Sequence, residues 1–162
     1  MYTRIQLVAS VLTLVLTLPA PASDQHLGSL TITQPWSRAT APGASTGAAY
    51  FDIVNAGRAD TLLRIESPVA REVEMHMEYT DGGMMQMRPM QSVEVPQGDR
   101  VRFQPGGLHV MLIDLKRPLE EGQRFPLTLV FQHAGSVRVE VLVQGLGAMT
   151  APGQGAAAHE HH

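Results

Sequence analysis

The sequence contains no cysteine. Without a thiol the chain can form no disulfide, no cysteine nucleophile, no CxxC redox couple, no iron–sulfur cluster, no zinc–thiolate site and no blue-copper centre. Charge is sparse, with 17% charged residues and a net charge of −3, so the basic footprint that nucleic acid requires is missing. Aromatic residues make up 5% and there is one Trp. Internal repeats are absent, and no window sustains the 3.6-residue apolar period of an amphipathic helix. Beyond the first eighteen residues no apolar run is long enough to span a bilayer. What is present is 162 residues, 44% of them hydrophobic, which suffices for one domain with its own core. Nine Met and seven His stand out, and their placement carries most of the information.

Residues 1–22 read as a secretory signal peptide. Arg4 is the only charge before Asp24, residues 5–18 are mostly apolar, and Ala20 and Ala22 suit a small-residue cleavage site. The apolar stretch is shorter than the roughly 20 residues of a membrane span, so an uncleaved anchor is the weaker alternative. The expectation is an exported, periplasmic protein that begins near Ser23 and is not embedded in the membrane.

From there the chain is a succession of short alternating segments at 30–33, 48–54, 61–65, 72–79, 84–88, 92–95, 100–103, 108–115, 127–131 and 137–141. Turn residues separate them, for example Asn55-Ala56-Gly57 and Pro96-Gln97-Gly98-Asp99. This pattern predicts an all-β antiparallel sandwich or barrel over 23–144. Residues 145–162, rich in Gly, Ala, Pro and Gln, are expected to form a flexible tail.

Six methionines, Met75, Met77, Met84, Met85, Met87 and Met90, lie within sixteen residues. Core packing is one explanation, because Met fills irregular gaps. A soft-metal site is the other, because thioether sulfur selects Cu(I). Strand alternation puts Val73, Met75, Met77 and Tyr79 on a core face and Glu74, His76 and Glu78 on a wet one. A two-residue turn at Asp81-Gly82 would set His76 directly opposite Met87, whereas a turn at Gly82-Gly83 would shift that register by two. In 108–112, Leu108, Val110 and Leu112 take the core face while His109 and Met111 share the other. Two His and two Met are four neutral ligands, enough for a tetrahedral Cu(I) site that buries little charge.

These residues read His76-x10-Met87-x21-His109-x-Met111. The pattern resembles the signature of the periplasmic PCu(A)C copper chaperones. Similarity extends to Pro35-Trp36-Ser37-Arg38-Ala39-Thr40, to Gly47-Ala48-Ala49-Tyr50 with Asn55, and to Pro105-Gly106-Gly107-Leu108-His109. The resemblance implies a cupredoxin-like Greek-key sandwich or barrel of about eight or nine antiparallel strands. It implies a copper carrier whose Cu(I) is held by His76, Met87, His109 and Met111; the chain is expected to be a monomer and not an enzyme. The implied acceptor is the binuclear copper site of cytochrome c oxidase subunit II, in some cases with a Sco-type partner. Some members of that family also carry a tail that binds Cu(II).

In this chain the tail ends in His159, His161 and His162, a candidate Cu(II) site with Glu160, set against a solvated tail. Met84, Met85 and Met90 are assigned to packing ahead of reserve ligation. His26 is placed in a frayed start and is not taken as a ligand, His133 is taken as a surface-loop residue and Trp36 as structural. The competing functional reading is an exported β-sandwich binding module without metal, its Met cluster serving as packing. A copper enzyme fits poorly, because redox turnover favours harder ligands and an open coordination position.

Overall fold

The computed structural model describes residues 24–153. The expectations for the leader at 1–22 and for His159, His161 and His162 lie outside the described residues. The described part is all-β, with eleven strands: β1 Gln25–Leu27, β2 Leu30–Arg38, β3 Thr46–Asn55, β4 Asp60–Glu66, β5 Ala70–Asp81, β6 Met84–Met90, β7 Val93–Val95, β8 Arg100–Phe103, β9 Leu108–Leu115, β10 Arg124–Phe131 and β11 Ser136–Gln144. All ten segments expected from alternation are present, most of them longer, and β1 is the addition. Among the described residues no helix is long and apolar enough to cross a membrane.

Hydrogen bonds link the strands in the order β6-β5-β9-β3-β2-β11-β10-β4-β7, with β1 on β2 and β8 on β3. One apolar cluster draws Met75 from β5, Val110 and Leu112 from β9, Phe51 and Ile53 from β3, Leu127 and Leu129 from β10, and Val139 and Val141 from β11. The path therefore folds over on itself as a sandwich, each strand sending alternate residues inward. In β10 the inward set is Phe125, Leu127, Leu129 and Phe131, all buried. Phe51 and Phe103 stack at 4.4 Å between centroids near the middle of this core.

One pairing departs from the antiparallel expectation. Leu142, Val143 and Gln144 of β11 run parallel to Trp36, Ser37 and Arg38 of β2. The cause is a kink in β2. Gln34 has φ +52°, and the β2–β3 register shifts between Thr33 and Trp36. Pro35 offers no N–H to the ladder, so the strand is interrupted there and its two halves find different outer neighbours, β1 and β11.

Asn55 closes β3. It is fully buried, and its amide donates to the carbonyls of Arg58, Val95 and Pro96 at 2.8–3.2 Å. Its Oδ1 accepts from the Gly57 N–H at 2.9 Å. At the same end of the molecule the buried Asp60 carboxylate accepts backbone N–H bonds from Thr61, His133 and Ala134. Burial works to raise its pKa, but the three donors together outweigh that and hold it below its ordinary value.

Candidate metal centre

The candidate ligands sit on three adjacent strands, β6, β5 and β9. In β9, Leu108, Val110 and Leu112 point into the core as expected, which turns His109 and Met111 to the opposite face. In β5, Met75 is buried, Val73 and Met77 pack against the core, and Tyr79 is 43% exposed where the strand outruns it. Glu74, His76 and Glu78 take the other face.

The β5–β6 hairpin differs from the expected register. Asp81 pairs with Met84, so the two turn residues are Gly82 and Gly83, with φ +56° and +81°. A two-residue turn with both central residues at positive φ is met without strain by Gly-Gly, whereas Asp81-Gly82 would force a side chain into that region. His76 consequently faces Pro89, and Met87 faces Glu78. A slip of two residues preserves parity, so Met87 stays on the face of His76, one diagonal step away.

A pairing that sequence spacing left hidden is the one between β5 and β9. His76 stands directly opposite His109, and Glu74 opposite Met111. The imidazole rings are 5.9 Å apart between centroids and inclined by 52°. Met111 and Met87 thus flank the His pair from the two neighbouring rows. Ala48 of β3 lies across from Met111, and its short side chain leaves space there. Met87, His109 and Met111 line a cleft of about 410 Å3 together with Arg38, Tyr50 and Glu78.

Each imidazole is held by one nitrogen. His109 is 4% exposed, and its Nδ1–H donates to the Gly107 carbonyl at 2.9 Å, which leaves the Nε2 lone pair available. His76 donates Nε2–H to Glu74 Oε2 at 2.6 Å, and its Nδ1 is buried with no partner. Orienting a ligand imidazole through its second nitrogen is the usual arrangement at metal centres. Among the described residues no three His, Asp or Glu gather to hold a metal. Beside the imidazoles, this face offers the thioethers of Met87 and Met111 as soft donors.

The surroundings hold further residues that sequence spacing did not single out as functional. Tyr50 packs on Trp36 at 4.6 Å between centroids, and Arg38 lies 5.8 Å from its ring. Burial raises the Tyr50 pKa, Arg38 opposes that and Glu78 reinforces it. The segment after β11, expected as the start of a flexible tail, lies against this pair. Ala151 is buried on Trp36 and Tyr50, and Arg38 Nε donates to the Ala148 carbonyl at 2.6 Å. Met90 packs on the core as expected, but Met84 and Met85 do not. They are 65% and 70% exposed, because the hairpin extends past the body of the sandwich. His133 lies in a loop and contributes its backbone N–H to Asp60.

Residues 30–143 match the profile of the LpqE-like family of lipoproteins. Over 130 residues the chain is 32% identical to Lxx21020 of Leifsonia xyli subsp. xyli, named as a lipoprotein, covering 76% of this chain and 77% of that one. Among solved structures, the apo PCuAC domain of PmoF2 superposes with a TM-score of 0.68 at 30% identity, over 80% of this chain and all of that one. The copper-bound PCuAC domain of PmoF2 gives 0.66 at 29% identity, over 76% of this chain and 98% of that one. The Cu(I) form of DR1885 from Deinococcus radiodurans gives 0.52 at 27% identity, over 70% and 78% of the two chains. With its cupredoxin-like fold shared across the domain, the chain belongs to the LpqE-like family and is of the PCu(A)C type.

Proposed function

We propose that the domain is an exported copper carrier that takes one Cu(I) as cargo through His76, Met87, His109 and Met111. The observation that carries this reading is the direct opposition of His76 and His109, each held through one ring nitrogen, with the His76 Nδ1 buried and without a partner. Two solved relatives of similar sequence are described as copper-bound or Cu(I) forms. The chemistry of the donors agrees. Imidazole and thioether are neutral, so the cargo remains a monocation, and thioether prefers Cu(I). Moderate ligands also suit a carrier rather than an enzyme, since an acceptor offering thiolates can win the ion by exchange.

The acceptor proposed is the one the family resemblance implies: the binuclear copper site of cytochrome c oxidase subunit II, with a Sco-type protein as a further partner. The lipoprotein names of the family and of its relative support export, as does the leader-like segment at 1–22. His159, His161 and His162 remain a candidate Cu(II) site set against a solvated tail, and deleting residues from Gly153 onward tests it: an unchanged Cu(II) stoichiometry rejects the tail site.

The decisive experiment is a Cu(I) titration against a chromophoric competitor, with X-ray absorption on the loaded protein. The carrier reading expects one tight equivalent with mixed nitrogen and sulfur scattering. If His109→Ala and Met87→Leu bind Cu(I) as the parent does, the ligand set is wrong and the metal-free binding module takes its place.

A further inference from the structure

The methionines at the end of the β5–β6 hairpin stand outside the core, and grouped together they leave an apolar, sulfur-bearing patch in water. Met84 and Met85 are 65% and 70% exposed, and Met87 is 54% exposed. Alternation divides them. Met85 pairs with Thr80 and Met87 with Glu78, so Met85 and Met87 share the face of His76. Their Cα atoms are about 7 Å apart along the strand, a gap that unbranched side chains with three rotatable bonds can close. Met84 pairs with Asp81 and points to the other face. The thioethers on the ligand face thus form a row, Met85 outermost, then Met87, then the His pair and Met111 within.

We propose that Met85 is a transit ligand for Cu(I), the first sulfur met by copper on its way in and the last on its way out. The inference rests on the carrier reading. On entry, the Met85 sulfur forms a bond to Cu(I) as one ligand of the donor molecule leaves. Met87 and the imidazoles then replace the remaining donor ligands, and the Met111 sulfur forms the last bond as the Met85 bond breaks. Every ligand on this chain is neutral, the copper stays Cu(I), and no proton or electron moves. Delivery reverses the order. Such a ligand alters the rate of exchange and leaves the equilibrium affinity nearly unchanged, because the fully held state does not include it.

Met84 is the internal control: it is next in sequence and about as exposed, but it is on the opposite face. Transfer of Cu(I) from the full loaded chain to bathocuproine disulfonate is followed by stopped flow, and the equilibrium partition is measured with the same chelator. Met85→Leu keeps the apolar volume and removes the sulfur. The expected result is transfer about tenfold slower for Met85→Leu with partition within about twofold of the parent, and parental rates for Met84→Leu. In a titration of the copper-loaded protein with Ag(I), the Met85 methyl signal moves and the Met84 signal does not. Parental transfer rates for Met85→Leu overturn the proposal. So does equal slowing by both Leu variants, because Met84 lies on the other face and cannot pass copper to the His pair. A loss of equilibrium affinity in Met85→Leu as large as that in Met87→Leu also overturns it, since Met85 is then a resident ligand. The carrier reading fails separately, when Met87→Leu leaves the partition unchanged.

Discussion

Met75, Met77 and Met90 on one side and Met84, Met85 and Met87 on the other come from the same sixteen-residue stretch, yet they inhabit different solvents. The first three are buried or packed on the core, and the second three stand in water. Composition treats them as one cluster. Strand parity and the reach of the hairpin past the sandwich separate them, and only the second group is available to a soft ion. A methionine-rich segment is therefore neither a core feature nor a metal feature as a whole; the assignment has to be made side chain by side chain.

The comparison can be broken most severely from its buried side. Met75→Ala should cost about 2–5 kcal/mol of folding stability, read by denaturant unfolding, while Cu(I) partition at low denaturant stays parental. A large loss of copper affinity in the folded variant would show that the two groups are not independent. Next in size, His109→Ala or Met87→Leu should weaken Cu(I) binding by about a hundredfold or more, equal to about 2.7 kcal/mol. Met87→Leu should leave the unfolding midpoint within about 0.5 kcal/mol, as befits an exposed position. Glu74→Gln should give a smaller effect, about tenfold in affinity, because it removes the carboxylate that orients His76 without removing a ligand. An increase in affinity would mean that Glu74 competes with the ion instead of positioning its ligand.

The gentlest test lies in the Asp60 loop, built from residues outside the methionine stretch. The folded-state pKa of Asp60 lies below its ordinary value of 3.8, so its carboxylate stabilises the fold above that pH, and the contribution is lost as pH falls through the folded value. Asp60→Asn should be less stable than the parent at neutral pH, and the two should converge in acid, while copper binding is unaffected. A gap that stays constant down to strong acid would remove the charge from the explanation.

Much of this was legible from residues alone. The alternation of Leu108, Val110 and Leu112 fixes the face of His109 and Met111 wherever β9 pairs. The parity of Met87 with His76 survives either turn, because both registers differ by two. Other features depend on information that no short window contains. The choice of Gly82-Gly83 over Asp81-Gly82 is a competition between two adjacent turns, settled by the positive φ at both central residues. The opposition of His76 and His109 arises from a β5–β9 pairing between strands far apart in sequence. The exposure of Met84 and Met85 depends on where the core ends, which local hydrophobicity does not reveal. The docking of Ala151 on Trp36 and Tyr50 defied the composition of its segment, because the buried alanine is joined by two Arg38 bonds, to the Ala148 carbonyl and to the Met149 sulfur.

Strand β6 is an outer edge of the sheet, hydrogen-bonded to β5 alone among the described strands. Edge strands open most readily, and their amides exchange first. On the proposed ligand set, a ligand contributed by β6 would tie that border to two interior strands whenever cargo is aboard. Empty carrier and laden carrier would then differ in stiffness at the rim even where their backbones superpose, and a receiving protein that grips the rim could tell a full vessel from a spent one.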